Sequence, residues 1–283
     1  GVVGLKPTYG RVSRSGLIAL ASSLDQIGPF TKTVEDAEIL FNVLNGPDPL
    51  DSTTTQKVQS PQKKFSKTIG VPRKFFEDEG IEVSVKRNFE ESVEKFKSLG
   101  YKVKDIELPH IKYSLAVYYI LMPAEASSNL SRFDGVKYGL HKDGLNGIED
   151  YFKTRGSGFG KEARRRIILG TYVLSSGYYD EYYGSALKMK KIITDELIEV
   201  FKKVDLILTP TTPTPAFKLG EKTSDPLSMY LADIFTVPAN IARLPSISIP
   251  SGFVGQLPLG IELTAGLDRE DNLFKAGKEF LGE

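Results

Sequence analysis

The 283 residues are 40% hydrophobic and 26% charged, a composition typical of a globular protein with a sizeable core. The 37 basic and 36 acidic side chains leave a net charge of +1, so no general field draws the chain to nucleic acid or an anionic membrane. The absence of cysteine excludes disulfides, thiol nucleophiles and thiolate zinc sites, and two histidines leave little scope for a multi-histidine metal site. No apolar run of about 18 residues indicates a membrane span, so a cytoplasmic location is expected.

The first third of the chain is predicted to form turns, short strands and one helix. Residues 1–29 mix glycine with short apolar stretches and end at a Gly-Pro turn. Thr33 is predicted to begin the helix, because its hydroxyl can accept a backbone N–H of the first turn, and Gly46-Pro47 ends the apolar periodicity. The polar residues 47–66 are expected to be an exposed loop.

Alternating strands and helices dominate the rest of the chain. Ser84 is predicted to cap a helix whose apolar residues recur every three or four positions until Gly100. This helix lies between two predicted strands, an order that indicates an α/β layer architecture. A mostly helical region covers about 111–204 and includes a glycine-rich stretch, 134–160, that looks mobile. The predicted strands are 68–72, 101–108, 205–210, 246–250 and 259–264, and the further helices are 113–130, one from Lys161, 185–203 and 271–281.

Three consecutive arginines stand out in the segment Lys161-Glu-Ala-Arg-Arg-Arg166. The segment is either a phosphate-binding patch or the solvated first turn of a helix that Glu162 partly neutralises. Successive residues of a helix point about 100° apart, so one of the three arginines must turn inward. An inward guanidinium needs a carboxylate partner, from the protein or from a ligand.

Two further positions could contact a ligand. Asp233 stands among apolar residues in MYLADIFTVPAN, where a carboxylate is either half-exposed on a helix surface or paired with an ammonium group. Tyr118, followed by Tyr119, lies in an apolar predicted helix. Such rings usually belong to the core, but a tyrosine hydroxyl can reach a ligand while its ring packs.

The threonine-rich segment TPTTPTPA, 209–216, follows a predicted buried strand. It is either a rigid turn or a ligand-contacting loop, since the ends of strands in α/β folds favour ligand contacts. No G-x-S-x-G nucleophile elbow is present, and the S-x-x-K pattern at Ser60–Lys63 lies in the predicted exposed loop. The residues alone therefore predict an α/β domain with an amino-acid-like pocket and no distinguishable nucleophile.

Long blocks of the sequence resemble the amidase signature family, and within it the A subunits of glutamyl-tRNA(Gln)/aspartyl-tRNA(Asn) amidotransferases. The opening block GVVGLKPTYGRVSRSGLIALASSLDQIGP is similar to the segment that follows the catalytic serine of that family. The likeness continues through 125–139, 165–183, 205–221 and 225–240, and so covers nearly the whole chain. It implies an α/β/α sandwich with a mixed central sheet, incomplete on its amino-terminal side. Residues 1–283 would form one partial domain, with about 111–204 as its helical substrate side.

The resemblance implies amide hydrolysis without histidine, cysteine or metal. In that family a lysine, acting through a bridging cis-serine, activates a second serine that attacks the amide carbonyl. All three residues precede the block that Gly1 opens, so the chain is expected to be a carboxy-terminal portion that holds no catalytic residue and is inactive alone. Glutamine is the implied substrate, and the amidotransferase B and C subunits are the implied partners that receive its ammonia. ATP and Mg²⁺ are implied in the partner, no cofactor is implied in this chain, and tRNA is implied to bind only through the partner.

The resemblance also implies the substrate contacts. The family's glutamine-binding tyrosine, arginine and aspartate fall, motif by motif, on Tyr118, Arg166 and Asp233. Arg166 would hold the α-carboxylate in a bidentate fork, Asp233 would hold the α-ammonium, and Tyr118 would bond the polar end and pack on the aliphatic stem. Two alternatives remain open: a stand-alone amidase of the same superfamily, against which the opposed charges argue, and a non-catalytic scaffold fragment.

Two positions depart from the family pattern. Where relatives often read N-L-A-G-x-P, Arg243 replaces the glycine, and where they often end in G-x-Q, Glu262 replaces the glutamine. Neither residue is expected to touch the glutamine.

Overall fold

The computed structural model describes residues 1–55, 64–77, 80–222 and 229–283, which form two compact units. The first unit comprises Gly1–Ser15, Gln26–Leu115 and Lys190–Glu283, and the second comprises Gly16–Asp25 and Ala116–Met189. The S-x-x-K pattern at Ser60–Lys63 lies outside the described residues. The organisation as one partial domain stays a prediction.

One mixed sheet of seven strands forms the centre of the first unit, counted over the described residues. Its strands are β1 (Val3–Lys6), β2 (Phe30–Thr31), β3 (Thr68–Val71), β4 (Lys102–Asp105), β5 (Leu206–Pro210), β6 (Ser246–Val254) and β7 (Leu257–Ala265). They lie in the order β2-β1-β6-β7-β5-β3-β4. Neighbours from β2 to β5 pair antiparallel, whereas β3 runs parallel to both β5 and β4. The predicted α/β class with a mixed sheet is confirmed.

The helix termini show which start signals were identified correctly. Thr33 caps the first helix as predicted, because its hydroxyl oxygen accepts the backbone N–H of Asp36 at 3.0 Å. The prediction for Ser84 was wrong: the helix begins at Val83, and the Ser84 hydroxyl donates to the carboxylate of Glu82, the N-cap residue, at 2.7 Å. The helices with described bounds are α1 (Val34–Leu44), α2 (Arg73–Glu77), α3 (Val83–Ser98), α4 (Ser114–Asn129), α5 (Gly147–Gly158), α6 (Lys161–Val173), α7 (Ser185–Phe201), α8 (Val237–Ile241) and α9 (Glu270–Leu281).

Aromatic rings join the helices of the first unit in its core. Phe96 of α3 and Phe280 of α9 are at most 2% exposed, and their ring centroids lie 4.8 Å apart. Phe41 of α1 meets Phe274 of α9 at 5.8 Å. Buried phenylalanines of this kind each contribute about 3–5 kcal/mol to stability. Packing between these helices therefore depends on the apolar face of α9.

Asp205 ties the start of β5 to the start of β3. One of its carboxylate oxygens accepts the N–H of Ser66 at 2.9 Å, the hydroxyl of Ser66 at 2.6 Å and the N–H of Thr68 at 3.0 Å. The backbone N–H of Asp205 in turn donates to the Thr68 carbonyl at 2.8 Å. A buried carboxylate with several donors is stable, because its hydrogen bonds replace those to water.

The segment 47–55, expected to be an exposed loop, is partly fixed against residues 10–15. The Ser13 hydroxyl donates to Asp48 at 2.6 Å, and the backbone N–H of Arg14 donates to Asp51 at 2.8 Å. Hydrogen bonds from the Thr53 hydroxyl and from the Arg14 backbone lower the pKa of Asp51 to about 2. Residues 56–63 of the same predicted loop lie outside the described residues.

The second unit is helical and contains a helix that was not predicted. The glycine-rich stretch 134–160 looked mobile, yet α5 occupies 147–158 within it. Asn146 caps this helix, since its side-chain oxygen accepts the N–H groups of Ile148 and Glu149, both at 3.1 Å. Three glycines in α5 lower its intrinsic helix propensity, and they hid the helix from the sequence pattern.

Candidate functional site

Arg166 is the inward-turned member of the arginine triplet. Within α6, Arg164 and Arg165 are exposed, whereas the side chain of Arg166 is only 26% exposed. Its Nε donates to Oε1 of Glu162 at 2.9 Å, one turn earlier on the same helix. Arg166 is thus the least exposed of the three arginines and meets a carboxylate from the protein, while its role at a ligand stays a prediction.

The pairing with Glu162 leaves part of the Arg166 guanidinium available. A guanidinium has five N–H donors, and within the described residues the bond from Nε is the one hydrogen bond that Arg166 makes. The two Nη groups therefore retain a bidentate edge that fits a second carboxylate. Glu162 also pairs with Nη1 of Arg165. Arg166 can thus hold an anionic group while Glu162 fixes the direction of its side chain.

Gly170 sets the distance between α4 and α6 in the second unit. A Cβ atom at position 170 would lie 1.8 Å from the carbonyl oxygen of Pro123, so this crossing requires glycine. At a rise of about 1.5 Å per residue, Tyr118 lies about 7.5 Å along α4 from the crossing, and Arg166 lies about 6 Å along α6. Both candidate residues therefore stand on helices whose spacing is fixed by a backbone contact.

Tyr118 lies half-buried on α4, which is anchored within its own unit. Its ring meets that of Tyr119 edge-on, with centroids 5.0 Å apart and planes at 89°. Farther along α4, the Glu125 carboxylate accepts the backbone N–H of Ser23 at 2.8 Å and the Ser23 hydroxyl at 2.5 Å. These charge-assisted bonds fix the helix that carries Tyr118 to the segment 16–25.

Asp233 lies on a short 3₁₀ turn, Leu231–Asp233, in the first unit. The residue is exposed, whereas Ile234 and Phe235 after it are buried. Its carbonyl oxygen accepts the N–H and the hydroxyl of Thr236, both at 3.1 Å. The structure therefore places Tyr118 and Arg166 in the second unit and Asp233 in the first, and their common role in one site stays a prediction.

One face of the sheet in the first unit is polar, a feature that the sequence analysis missed. Lys6 is paired with Ser246, and Ser248 with Glu262. Because alternate residues of a strand point to the same side, these side chains share one face. We call this the polar face; it comprises Lys6, Thr209, Ser246, Ser248, Glu262 and Thr264. The strict alternation of polar and apolar residues in SISI and IELT indicates that each of these two strands has one polar side, but not that the two sides meet.

Glu262 is the least satisfied group of the polar face. It is 2% exposed, and neither carboxylate oxygen has a hydrogen-bond partner among the described residues. Burial raises the pKa of Glu262 to about 7, although the neighbouring Ser246 hydroxyl and Lys6 act in the opposite direction. Desolvation lowers the pKa of Lys6 to about 8, against the attraction of Glu262 and Glu270. Two groups that interact in this way titrate close to neutral pH.

The threonine-rich segment meets the polar face at its start. The Thr211 and Ser248 hydroxyl oxygens lie 2.8 Å apart, a hydrogen bond in which either can donate. The Thr212 hydroxyl donates to the carbonyl oxygen of Thr214 at 2.8 Å and stiffens the turn. The segment therefore has the rigid turn that was one of its two interpretations, and one of its hydroxyls extends the polar face.

The described parts of the chain contain neither a metal-binding cluster nor a membrane-spanning helix. Among the residues with described positions, no three or more histidine, aspartate or glutamate side chains are grouped so as to hold a metal ion. Every helix in that part of the chain is too short or too polar to cross a bilayer.

Comparison with known proteins extends over nearly the whole chain. A family model described as Amidase matches residues 1–274. The A subunit of glutamyl-tRNA(Gln) amidotransferase from Carboxydothermus hydrogenoformans is 52% identical over 287 residues, covering 99% of this chain and 59% of that protein. The protein of the same name from Desulfatibacillum aliphaticivorans is 50% identical over 288 residues, with the same two coverages of 99% and 59%. The chain thus spans 59% of the length of these curated relatives.

Solved structures share the fold. The crystal structure of the A subunit of glutamyl-tRNA(Gln) amidotransferase from Thermotoga maritima superimposes with a TM-score of 0.78 at 46% identity, covering 99% of this chain and 57% of that one. An allophanate hydrolase from Kluyveromyces lactis gives a TM-score of 0.80 at 22% identity, covering 99% of this chain and 43% of that one. The second likeness shows the fold alone.

Proposed function

Because the chain belongs to the amidase family, we propose that it carries the glutamine-binding portion of the A subunit of a glutamyl-tRNA(Gln) amidotransferase. The observation that carries this proposal is its 52% identity to such a protein over 99% of the chain. The whole relative is longer, so binding is proposed here for this chain, and activity and partners are proposed for the complete protein.

The proposed pocket matches the charges of glutamine, which is a zwitterion with a neutral side-chain amide. The two Nη groups of Arg166 each donate a hydrogen bond to the α-carboxylate. Asp233 accepts the α-ammonium group, and the Tyr118 hydroxyl bonds a polar end of the ligand while its ring packs on the aliphatic stem. The inward position of Arg166 supports this assignment, because a partly buried cation gains more from an anionic ligand than a solvated one does.

In the proposed reaction this chain binds and orients, and the chemistry belongs to the family's serine nucleophile. Anchoring both α-groups fixes where the side-chain carboxamide lies, which raises the effective concentration of that carbonyl at the nucleophile. The ammonia would pass to the B and C subunits, which amidate glutamyl-tRNA with ATP and Mg²⁺. We expect no ammonia release by this chain alone, since the resemblance assigns all three triad residues to positions before the block that Gly1 opens.

Isothermal titration of the 283-residue chain with L-glutamine tests the pocket. We expect saturable binding by the wild type and about a hundredfold weaker binding by Arg166→Ala, the effect of removing one member of a hydrogen-bonded charge pair. Arg164→Ala is the matched control, because it removes an exposed arginine of the same helix, and it should bind like the wild type. No binding by the wild type, or equal affinity of Arg166→Ala, would contradict the assignment.

Two further measurements distinguish the alternatives. Retention of the chain by immobilised B and C subunits supports an amidotransferase, whereas a stand-alone amidase would not be retained. Ammonia release from glutamine by the chain alone would show that it has a nucleophile of its own and would overturn the expected inactivity.

A further inference from the structure

Two glutamates of the first unit are buried to the same degree but differ in their hydrogen bonds. Glu270 is 4% exposed, and its Oε1 accepts the backbone N–H of Thr8 at 2.8 Å. Glu262 is 2% exposed, and neither of its oxygens forms a hydrogen bond of normal geometry within the described residues, although the Ser246 hydroxyl lies near enough to oppose the rise of its pKa. A buried carboxyl group with few donors is much more costly to bury as the anion than as the protonated acid. Glu262 is therefore placed where the folded chain favours the protonated acid.

The charged neighbour of Glu262 does not compensate for this burial. Lys6 lies on the same polar face, but its ammonium group donates a hydrogen bond to the carbonyl oxygen of Pro7 at 3.1 Å. Electrostatically, Lys6 is attracted to both Glu262 and Glu270. Among the described residues, neither Glu262 oxygen accepts a hydrogen bond from Lys6. Lys6 and Glu262 therefore attract each other electrostatically without forming a hydrogen-bonded ion pair.

From this geometry we propose that Glu262 and Lys6 form a pH-sensitive element in the sheet of the first unit. Protonation of Glu262 stabilises the packing of β1, β6 and β7 at the polar face, and its ionisation destabilises that packing. Lys6 faces Glu262 from β1, and Glu270 faces Lys6 from α9. The element does not depend on the proposed function, since none of its residues belongs to the proposed glutamine pocket.

The direction in which stability changes with pH follows from the pKa shifts of Glu262 and Lys6. The pKa of Glu262 rises from 4.5 to about 7, so between these values the folded chain holds a proton that the unfolded chain has lost, and stability falls as the pH rises. The pKa of Lys6 falls from 10.5 to about 8, so stability recovers as the pH rises from about 8 to 10.5. Both groups are charged between about pH 7 and pH 8, where the element is least stable.

Urea unfolding of the chain between pH 5 and pH 8 tests the element with the substitution Glu262→Gln. Glutamine has the same shape and cannot ionise. We expect the unfolding equilibrium constant of the wild type to increase, relative to that of the variant, by on the order of a hundredfold across this range. Glu91→Gln is the control, because Glu91 is an exposed glutamate of α3 outside the polar face, and this variant should keep the pH dependence of the wild type.

Parallel pH profiles of the wild type and Glu262→Gln would overturn the proposal. A ¹³C NMR titration of the Glu262 carboxyl carbon in the wild-type chain gives an answer even where the variant fails to fold. A midpoint near pH 7 supports the element, and a midpoint near pH 4 rejects it. Neither result bears on glutamine binding, which the titration of the Arg166 variants tests separately.

Discussion

Glu162 and Arg166 lie one turn apart on α6, and Oε1 of Glu162 accepts the Nε–H of Arg166 at 2.9 Å. Exposed ion pairs at this spacing add only about 0.3–0.5 kcal/mol to stability. Because the bond engages Nε, it orients the opposite edge of the guanidinium. The main effect of this ion pair is therefore to orient the Arg166 side chain rather than to stabilise the helix.

Glu162→Gln should weaken glutamine binding severalfold while leaving thermal stability nearly unchanged, because it loosens the orientation of Arg166 without removing the cation. Titrations with L-glutamine and with glutaminamide, which lacks the α-carboxylate, check the reason. The variant should lose affinity for glutamine and keep its affinity for glutaminamide. Arg165→Ala removes the other arginine bound to Glu162 and serves as the control. Equal losses for both ligands would assign Glu162 a merely structural role.

Asp205→Ala should lower the free energy of unfolding by about 3 kcal/mol, because the substitution strands the buried N–H of Thr68 and the donors of Ser66. Urea denaturation at pH 7 measures the loss. Asp195→Ala is the control, since Asp195 is 57% exposed and pairs with Lys191 on the surface of α7; it should cost less than about 0.5 kcal/mol. Comparable losses in the two variants would show that Asp205 does not tie β5 to β3.

Arg243 occupies a backbone conformation that favours glycine, with φ of 63°, and its guanidinium lies 4.6 Å from the centre of the Tyr9 ring. Arg243→Ala and Arg243→Gly both remove the cation–π contact, but only the glycine relieves the left-handed strain. Arg243→Gly should therefore be about 1 kcal/mol more stable than Arg243→Ala in thermal unfolding.

The control for this comparison is the exposed Arg87 within α3, where the order should reverse because alanine is the better helix former by about 1 kcal/mol. If glycine were also the less stable substitution at position 243, the left-handed conformation would carry no strain there.

Asp51 should make part of the stability sensitive to acid. Its pKa falls from 3.8 to about 2, because the Thr53 hydroxyl and the Arg14 backbone donate to its carboxylate. A lowered folded pKa gives stability that is fully present above about pH 4 and is lost as the pH falls towards 2. Asp51→Asn should flatten the urea-unfolding profile in this window, and Asp195→Asn, at an exposed site, should not. A wild-type profile that is already flat there would contradict the role of Asp51.

Local signals predicted the elements well wherever they agreed with tertiary packing. The Thr33 cap and the inward arginine both follow from rules that act within one helical turn. Helix α5 was missed because its glycines weaken the apolar pattern, while a single Asn146 side chain starts it. The polar face was missed because strand register brings distant segments together, and no pattern within one strand reveals which strands will pair. For the same reason the residues alone singled out an inward arginine, Asp233 and Tyr118 separately, and only the resemblance grouped Tyr118, Arg166 and Asp233 into one predicted pocket.

The contact between Gly170 and Pro123 has a consequence for the way this chain can vary and be redesigned. Any side chain at position 170 must push one helix away from the other, so a library that randomises α6 should recover glycine alone at this site. The two helices form one inseparable module: grafting α6 onto another scaffold would also require transferring the stretch of α4 around Pro123.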